Sequence, residues 1–328
     1  MRSIDIGKSG VAVSAVIMGG WQAGLKDWAG ITDSMSERAV KASLDAGITA
    51  FDTAESYGDG HSERVLGRAL RGVRSRAAIL GKVFANHLHE DAVIAACERS
   101  LKNLGTDYID LYQIHWPSGS FGMKPVPPEE TMAAFCRLKK EGKIRAAGLC
   151  NASVEAGEKY ARHGGIDAVQ SPYSLFFRQA EKSLIPWAAG RGVAFLAYSP
   201  LAQGFLTGKF KVGHEFEPGD HRTRNRLFSP DVFPRVIDCV ERIRAVCRPL
   251  ETSPAAAALA WVLSEKGVAA IAGARNGEQA RMNAEASKIA LSEKDRAALS
   301  EAALPVASIF MEETLMWYPP ERKGRSNP

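Results

Sequence analysis

Short apolar runs recur along the whole chain and are separated by segments that mix apolar and charged positions. The runs are nearly continuous rather than alternating, which is typical of strands buried on both faces of a parallel sheet. On this basis eight strands are predicted, at residues 15–20, 48–54, 77–83, 109–116, 144–150, 168–174, 193–199 and 268–274.

The segments between the runs carry helical patterns. In residues 36–47 the apolar positions fall on or near one stripe, and Gly47 ends the pattern. The same kind of pattern predicts helices at residues 90–105, 127–143 and 253–267. Eight strands that alternate with helices predict an α/β protein, first a (β/α)8 TIM barrel in which residues 1–328 form a single domain. A doubly wound sheet is the alternative.

Three stretches depart from this alternation. The opening residues predict a short hairpin, MRSIDI and VAVSA around GKSG, that closes the bottom of the barrel. Residues 201–252 form a long insertion after the seventh strand, expected to act as a flap over substrate or cofactor, with a disordered excursion as the alternative. The tail 305–328 has no period, and we expect its end to be disordered.

Composition and charge narrow the class of protein. The net charge is only +5 and the basic residues are spread along the chain, so a nucleic-acid partner is not expected. No run reaches the roughly 18 to 20 apolar residues of a membrane span, and the N-terminus lacks a signal-peptide pattern, so we expect a cytoplasmic protein with no membrane partner. Five widely spaced cysteines without CxxC favour reduced thiols. No metal is expected, because the seven histidines lack ligand spacing; His87 and His89 are close together but are expected in a solvated loop.

Four polar residues mark the ends of consecutive predicted strands. Asp52, Lys82 and His115 end the second, third and fourth strands, and Tyr57 follows in the loop ESYGDGHSE. The carboxyl ends of barrel strands share one face, so these side chains are expected to meet there. An ammonium beside a phenol lowers its pKa, and a carboxylate holds the ammonium in place. Singly, each residue has a structural explanation; together they favour proton transfer to or from an oxygen.

A series of motifs in order along the chain resembles the aldo-keto reductases. They are FDTAESYGDGHSERVLG, LGKV, QIHWP, GLCN, VQSPYS, AYSPLAQGFLTGK and IAGARNGEQARMNAEA. YSPLAQGFLTGK and GARNGEQ are most similar to the bacterial branch related to potassium-channel β-subunits. The resemblance implies an NADPH-dependent oxidoreductase that reduces aldehydes or ketones to alcohols by hydride transfer. In it, Tyr57 matches the proton donor, Lys82 and Asp52 the pair that tunes it, and His115 the catalytic histidine.

The resemblance also implies a set of cofactor contacts. Asn151 and Gln170 match the side chains that bind the nicotinamide amide, and Tyr173 matches the aromatic residue stacked under the ring. Arg275 is expected to grip a 2′-phosphate, which favours NADPH while leaving NADH possible. The remaining implied contacts, around the pyrophosphate and the adenosine, are Ser199, Pro200, Leu201, Gln203, Gly204, Gly273, Ala274, Gln279 and Asn283. No G-x-G-x-x-G motif opens a helix, so a Rossmann domain does not compete for this role.

Two positions depart from the family pattern. Cys150 stands where many relatives have serine, which leaves the placement of the carboxamide open, and Ala272 replaces a frequent proline. Trp21 and Trp116 are expected to line a partly apolar substrate pocket, although packing explains Trp21 equally well. Substrate choice is expected to depend on the loops at residues 22–34, 117–126, 201–230 and 305–328.

Three functions remain in view from the sequence. The first is a reductase of small carbonyl compounds, or its reverse on a sugar or polyol. The second is a cofactor-binding regulatory subunit with little turnover, which the complete set of four residues disfavours. The third is an aldolase or isomerase with Lys82 as Schiff-base nucleophile, which Asp52 disfavours because it should keep the amine charged. The sequence predicts neither the substrate nor the oligomeric state.

Overall fold

The computed structural model describes residues 1–26 and 28–311, and its centre is a closed barrel of eight parallel strands. Each strand pairs with its sequence neighbours, and the last strand closes the ring against the first. The barrel strands are β3 (Val16–Gly19), β4 (Ala50–Asp52), β5 (Ala78–Val83), β6 (Ile109–Ile114), β7 (Ile144–Cys150), β8 (Ala168–Pro172), β9 (Ala194–Tyr198) and β10 (Val268–Gly273). The predicted (β/α)8 barrel and all eight of its strands are confirmed.

Helices surround the barrel. They are α1 (Asp33–Asp45), α2 (His61–Ala69), α3 (Glu90–Leu104), α4 (Pro128–Lys140), α5 (Val154–Ala161), α6 (Leu184–Arg191), α7 (Phe233–Cys247), α8 (Pro254–Leu263), α9 (Gly277–Ala286) and α10 (Glu293–Ala307). Local signals start and stop several of them: the Ser253 hydroxyl accepts a hydrogen bond from Ala256 N at the start of α8, and Gly105, at φ 63°, ends α3. The four predicted helices are confirmed as α1, α3, α4 and α8.

The opening residues form the predicted hairpin at the bottom of the barrel. Strand β1 (Ser3–Asp5) pairs antiparallel with β2 (Ala12–Ser14). Gly7 turns the hairpin at φ +57°, and a Cβ there would lie 2.8 Å from the backbone of Asp167, just before β8 begins. Because that is the amino end of the strand, the hairpin covers the face opposite the predicted site.

The long insertion is folded rather than a disordered excursion. It holds short 3-10 turns at Ala202–Thr207 and His221–Arg224, and then helix α7, which packs against α10. Phe205 is buried and its ring stacks on Phe228 at 3.8 Å between centroids. Although no periodic pattern marks residues 305–328, α10 continues to Ala307; the end of the tail, where disorder is expected, falls in residues 312–328, which lie outside the described residues.

The strand register brings the polar strand ends to one rim. Asp52 is the last residue of β4, and the β4–β5 register pairs it with Leu80, two residues before Lys82. Lys82 in turn pairs with Gln113, two residues before His115. Side chains two apart on a strand share a face, so all these side chains lie at the carboxyl rim. Within the described residues, no helix is both long and apolar enough to cross a bilayer.

Candidate active site

Three of the four predicted side chains form one hydrogen-bonded cluster at this rim. Lys82 is fully buried, and its Nζ donates to Asp52 Oδ1 at 2.5 Å and to Tyr57 Oη at 3.1 Å. A third bond, to the backbone oxygen of Thr53 at 2.9 Å, uses the remaining proton of the ammonium. The ammonium is therefore held in one place, with its charge against the phenol oxygen.

Close contact between two loops brings Tyr57 to the cluster. Gly58, at φ +63°, lies so near Gly24 that a Cβ on it would collide with the Gly24 carbonyl, and a Cβ on Gly24 would lie 2.8 Å from the backbone of Tyr57. Tyr57 N donates to Ala54 O at 3.1 Å, which closes the turn. Glycine at both positions is what lets the loop fold back over the strand ends.

Burial outweighs charge in setting the acidity of Tyr57. The dry surroundings raise the pKa of Tyr57 to about 12, although the nearby charge of Lys82 acts to lower it. The expected lowering by the ammonium is thus present but is not the larger effect. Burial also acts to lower the pKa of Lys82, but the charge of Asp52, with a smaller contribution from its interaction with Tyr57, more than offsets this and raises the pKa above its usual value. At neutral pH the cluster holds a protonated phenol and a charged ammonium.

His115 completes the predicted set as a neutral imidazole. Burial, and secondarily the charge of Lys82, hold the pKa of His115 well below its usual range. Its ring meets the ring of Tyr57 edge-on, 5.5 Å between centroids, and its Nδ1 lies 3.3 Å from Ser56 Oγ. Its backbone oxygen accepts from Asn151 Nδ2 at 3.0 Å. A neutral ring in this position can bind a carbonyl oxygen but has no spare proton to give up.

Beneath the cluster lies a layer of buried amides. Gln170 Nε2 donates to Asp52 Oδ2 at 2.9 Å and approaches Gln113 Oε1 at 3.3 Å. The Cys150 thiol also points to Gln113 Oε1, at 3.6 Å. Gln170, expected to bind the nicotinamide amide, therefore also holds the second oxygen of Asp52. The sequence interpretation did not include Gln113, although it is the other polar side chain on the inward face of the run that ends at His115.

Tyr173 does not face the cluster, and this corrects its expected place under the nicotinamide. Its hydroxyl donates to Glu181 Oε1 at 2.8 Å, and its ring packs against Trp261 on α8 at 5.2 Å between centroids. The strand alternation explains this, because Gln170 points inward and Tyr173 is three residues later. Tyr198, at the end of β9, is the tyrosine that reaches the rim: its hydroxyl donates to Asn151 Oδ1 at 2.8 Å.

The loop after β9 has an unusual backbone. Ser199, Ala202 and Gln203 have φ between 48° and 55°, and Gly204 has φ 101°. Such left-handed residues cost free energy and tend to occur at ligand-binding turns. Gln203 Oε1 accepts from Asn225 Nδ2 at 2.8 Å, while its buried Nε2 has no partner among the described residues. This donor is available to a ligand.

The start of α9 presents another part of the same edge. Asn283 Nδ2 donates to Gly273 O at 3.2 Å, and Gln279 Oε1 accepts from Arg275 N at 2.9 Å. Both side chains thus support the β10–α9 turn, which also contains Ala274.

Three cations crowd the space between the insertion and this turn. Burial lowers the pKa of Lys209, and the charges of Arg222 and Arg275 lower it further. The pKa of Arg275 is also lowered, by burial and then by the charge of Arg222. The guanidinium groups of Arg222 and Arg275 both lie over the ring of Trp28, at 5.2 and 5.7 Å. Asp220 offsets part of this repulsion, because both of its carboxylate oxygens accept hydrogen bonds from the Arg222 guanidinium, and the three cations with this one carboxylate leave a net positive charge that suits an anion. The basic cluster, Lys209, Arg222 and Arg275, includes two residues that sequence reasoning missed, because they meet only through folding of the insertion.

Comparison with protein families agrees with this arrangement. The model of the aldo/keto reductase family matches residues 15–303. The chain belongs to the aldo/keto reductase family. It is an oxidoreductase of that family, as its resemblance in sequence implied. The narrower expectation of a branch related to potassium-channel β-subunits stays a prediction.

Individual members of the family are similar over nearly their whole length. The aldo-keto reductase YhdN of Bacillus subtilis is 32% identical, over 90% of this chain and 92% of the relative. The NADH-specific methylglyoxal reductase of Escherichia coli is 31% identical, over 92% and 98%. Among solved structures, the glycerol dehydrogenase AKR11B4 of Gluconobacter oxydans superposes with TM-score 0.85 at 29% identity, over 96% of this chain and 98% of that one. An aldo-keto reductase of Klebsiella pneumoniae in complex with NADPH superposes with TM-score 0.73 at 29% identity, over 100% of this chain and 99% of that one.

Aromatic rings border the candidate site of this aldo/keto reductase on two sides. Trp21 stacks on Tyr57 with 6.2 Å between centroids and contacts His221 of the insertion at 4.3 Å. Trp116 lies 6.4 Å from His115 and 5.0 Å from Phe121. Both tryptophans therefore lie beside the cluster; that they line a substrate pocket stays a prediction. The contact with His221 brings the insertion to the rim, and its action as a flap stays a prediction.

Proposed function

We propose that this reductase uses NADPH to reduce aldehydes or ketones to alcohols, with Tyr57 as the proton donor. The observation that carries the proposal is the bond from the buried Lys82 ammonium to Tyr57 Oη, 3.1 Å long, with Asp52 on the other side of the ammonium. A phenol against a fixed cation is suited to give up a proton when a neighbouring oxygen becomes basic. We also propose that residues 1–328 act as one barrel unit.

The chemistry divides between the cofactor and the protein. When bound, the reduced nicotinamide supplies a hydride to the carbonyl carbon. Tyr57 Oη gives its proton to the carbonyl oxygen, so the substrate leaves as a neutral alcohol. The phenolate that remains is stabilised by the ammonium of Lys82, which Asp52 holds in place. In the reverse reaction the phenolate takes the proton from the alcohol.

His115 orients the carbonyl rather than protonating it. Since burial and Lys82 hold the pKa of His115 well below its usual range, the ring is neutral at neutral pH. A neutral imidazole carries one N–H, which can donate to a substrate oxygen without transferring its proton. Trp21 and Trp116 would then limit the positions open to the rest of the substrate.

The residues at the outer edge fit a phosphorylated dinucleotide. The basic cluster concentrates positive charge on one side, and Gln203 Nε2 offers a buried donor without a partner among the described residues. Tyr198 and Asn151, hydrogen-bonded to each other next to His115, are the ring and amide that we assign to the nicotinamide. The Klebsiella structure in complex with NADPH supports this choice, whereas the NADH-specific relative from Escherichia coli keeps NADH possible.

The choice of NADPH is expected to depend on Arg275. Replacing its guanidinium in Arg275→Met should raise the KM for NADPH about ten-fold or more, since a charge-assisted bond to phosphate contributes roughly 1.5–3 kcal/mol. The KM for NADH, which lacks the 2′-phosphate, should change little. Steady-state kinetics with both cofactors measures this; Lys288→Met, which removes an exposed charge just beyond the C-terminal end of α9, is the control. Equal losses with both cofactors would place Arg275 on a group that they share.

The proposed activity is tested by cofactor consumption with a panel of carbonyl compounds. We expect NADPH oxidation with small aldehydes, including methylglyoxal, the substrate in the name of one relative. The aromatic borders favour compounds with an apolar face, and the panel should include aromatic aldehydes and sugars. Tight NADPH binding without turnover on any of them would contradict the proposal and favour the regulatory alternative. Borohydride trapping at Lys82 is not expected, because the bond to Asp52 keeps the amine charged.

A further inference from the structure

Glu55 lies two residues before Tyr57 in the same loop. Its carboxylate points away from Tyr57, towards the loop that follows β5. Its Oε1 accepts from the backbone N–H of Phe84 at 2.8 Å and lies 2.9 Å from His87 Nδ1. Its Oε2 accepts from the Arg99 guanidinium at 3.2 Å. Only 12% of the side chain is exposed. Because a carboxylate only accepts, His87 Nδ1 must carry the hydrogen.

These bonds join two loops that border the site. The Glu55 backbone N–H also donates to Lys82 O, at 3.3 Å, so Glu55 is tied to β5 and to the loop beyond it. Phe84 directly follows that strand, and its ring packs edge-on against His115 at 5.8 Å between centroids. Glu55 therefore connects the loop that carries Tyr57 to two neighbours: its backbone N–H bonds the strand that carries Lys82, and its mostly buried carboxylate bonds Phe84, whose ring lies beside His115.

We propose that Glu55 and His87 form a positioning pair that fixes the Tyr57 loop relative to Lys82 and His115. This inference rests on the proposed role of Tyr57 as proton donor. The pair touches neither substrate nor cofactor and acts through the placement of Tyr57 Oη. Proton transfer is sensitive to such placement, since a displacement of about 1 Å can cost about 100-fold in rate. The loop at His87 and His89 reaches solvent, as expected, and the bond from His87 to Glu55 anchors it.

The substitution Glu55→Gln tests the pair with little change in shape. It replaces one acceptor oxygen with an amide that donates, so the contact to Arg99 or to Phe84 N and His87 is lost. We expect kcat to fall about ten-fold, with the Kd for NADPH and the melting temperature near those of the wild type. We also expect a larger solvent deuterium isotope effect on kcat, since proton transfer from a displaced Tyr57 becomes slower. His87→Ala should cause a smaller loss in the same direction.

The chain provides a matched control two residues further along this loop, where His89 meets a glutamate of helix α4. Glu130 Oε1 lies 2.8 Å from His89 Nδ1 and accepts from Glu90 N at 3.3 Å, which repeats the arrangement away from the site. Glu130→Gln should leave kcat and the isotope effect unchanged.

A double variant distinguishes a positioning role of Glu55 from a purely structural one. In a Tyr57→Phe background, Glu55→Gln should cause no further loss, because the group that it positions is absent. A wild-type kcat in Glu55→Gln, or an equal loss in both backgrounds, would overturn the inference while leaving the proposed function standing. If Glu55→Gln does not fold, His87→Ala decides by the same criteria. A wild-type kcat in Tyr57→Phe alone would instead refute the proposed function.

Discussion

Replacing Lys82 with methionine is expected to destabilise the protein by about 3–5 kcal/mol and to abolish reduction. The side chain of Asp52 is 4% exposed, and without the ammonium the Gln170 amide is the one side-chain donor left to its carboxylate among the described residues. An unpaired buried charge of this kind is strongly destabilising. Chemical denaturation of the variant and the wild type measures the loss in the free energy of unfolding.

The double variant Asp52→Asn/Lys82→Met separates stability from chemistry. With the charge on position 52 also removed, most of the lost stability should return, because two neutral groups need no mutual compensation. Activity should not return, since no cation is left to stabilise the phenolate of Tyr57. Recovery of activity together with stability would mean that Lys82 is only a structural ion-pair partner.

Replacing Tyr57 with phenylalanine is expected to lower kcat for reduction by about 10²–10⁴-fold, the usual contribution of a general acid. Only the hydroxyl is removed, and the ring keeps its contacts with Trp21 and His115. Lys82 keeps its bonds to Asp52 and Thr53, so the barrel should remain stable. Steady-state kinetics gives the loss in kcat, and a fluorescence titration should show an unchanged Kd for NADPH.

Tyr173→Phe is the control for this change, because it removes the same atom from a tyrosine whose hydroxyl bonds to Glu181 outside the site. Its kcat should match the wild type. Loss of NADPH binding together with activity in Tyr57→Phe would show that Tyr57 is structural rather than the acid.

The barrel could be predicted from the sequence because burial on both faces leaves a strong local signal. Strand β6 (Ile109–Ile114) is buried at every position, and β5 at all but its first, so both appear as apolar runs. Helix α2 was not predicted, because its nine residues are mostly polar and few apolar positions mark its buried side. Short helices of this kind are stabilised by packing on the barrel rather than by their own sequence.

That Asp52, Tyr57 and Lys82 meet was also predictable, because parallel strands bring their carboxyl ends to one rim whatever their separation in sequence. The strand period of two could have corrected Tyr173 as well: with Gln170 inward, Tyr173 must face α8. Two features could not be predicted. The raised pKa of Tyr57 results from burial that outweighs the charge of Lys82, and this outcome depends on the three-dimensional packing around the phenol. The basic cluster needs the path of the insertion, which no local pattern determines.

The pH dependence of a single turnover tests most directly whether Tyr57, rather than His115, supplies the proton. The enzyme is loaded with NADPH, mixed with an aldehyde at each pH, and followed by the absorbance of the nicotinamide. With the pKa of Tyr57 raised to about 12 and that of His115 far below its usual range, neither group changes protonation near neutrality. We expect a rate that is flat from about pH 6 to about pH 9, because the phenol of Tyr57 stays protonated throughout. A rate that falls as the pH rises through the ordinary histidine range would contradict it and identify a His115 imidazolium as the donor.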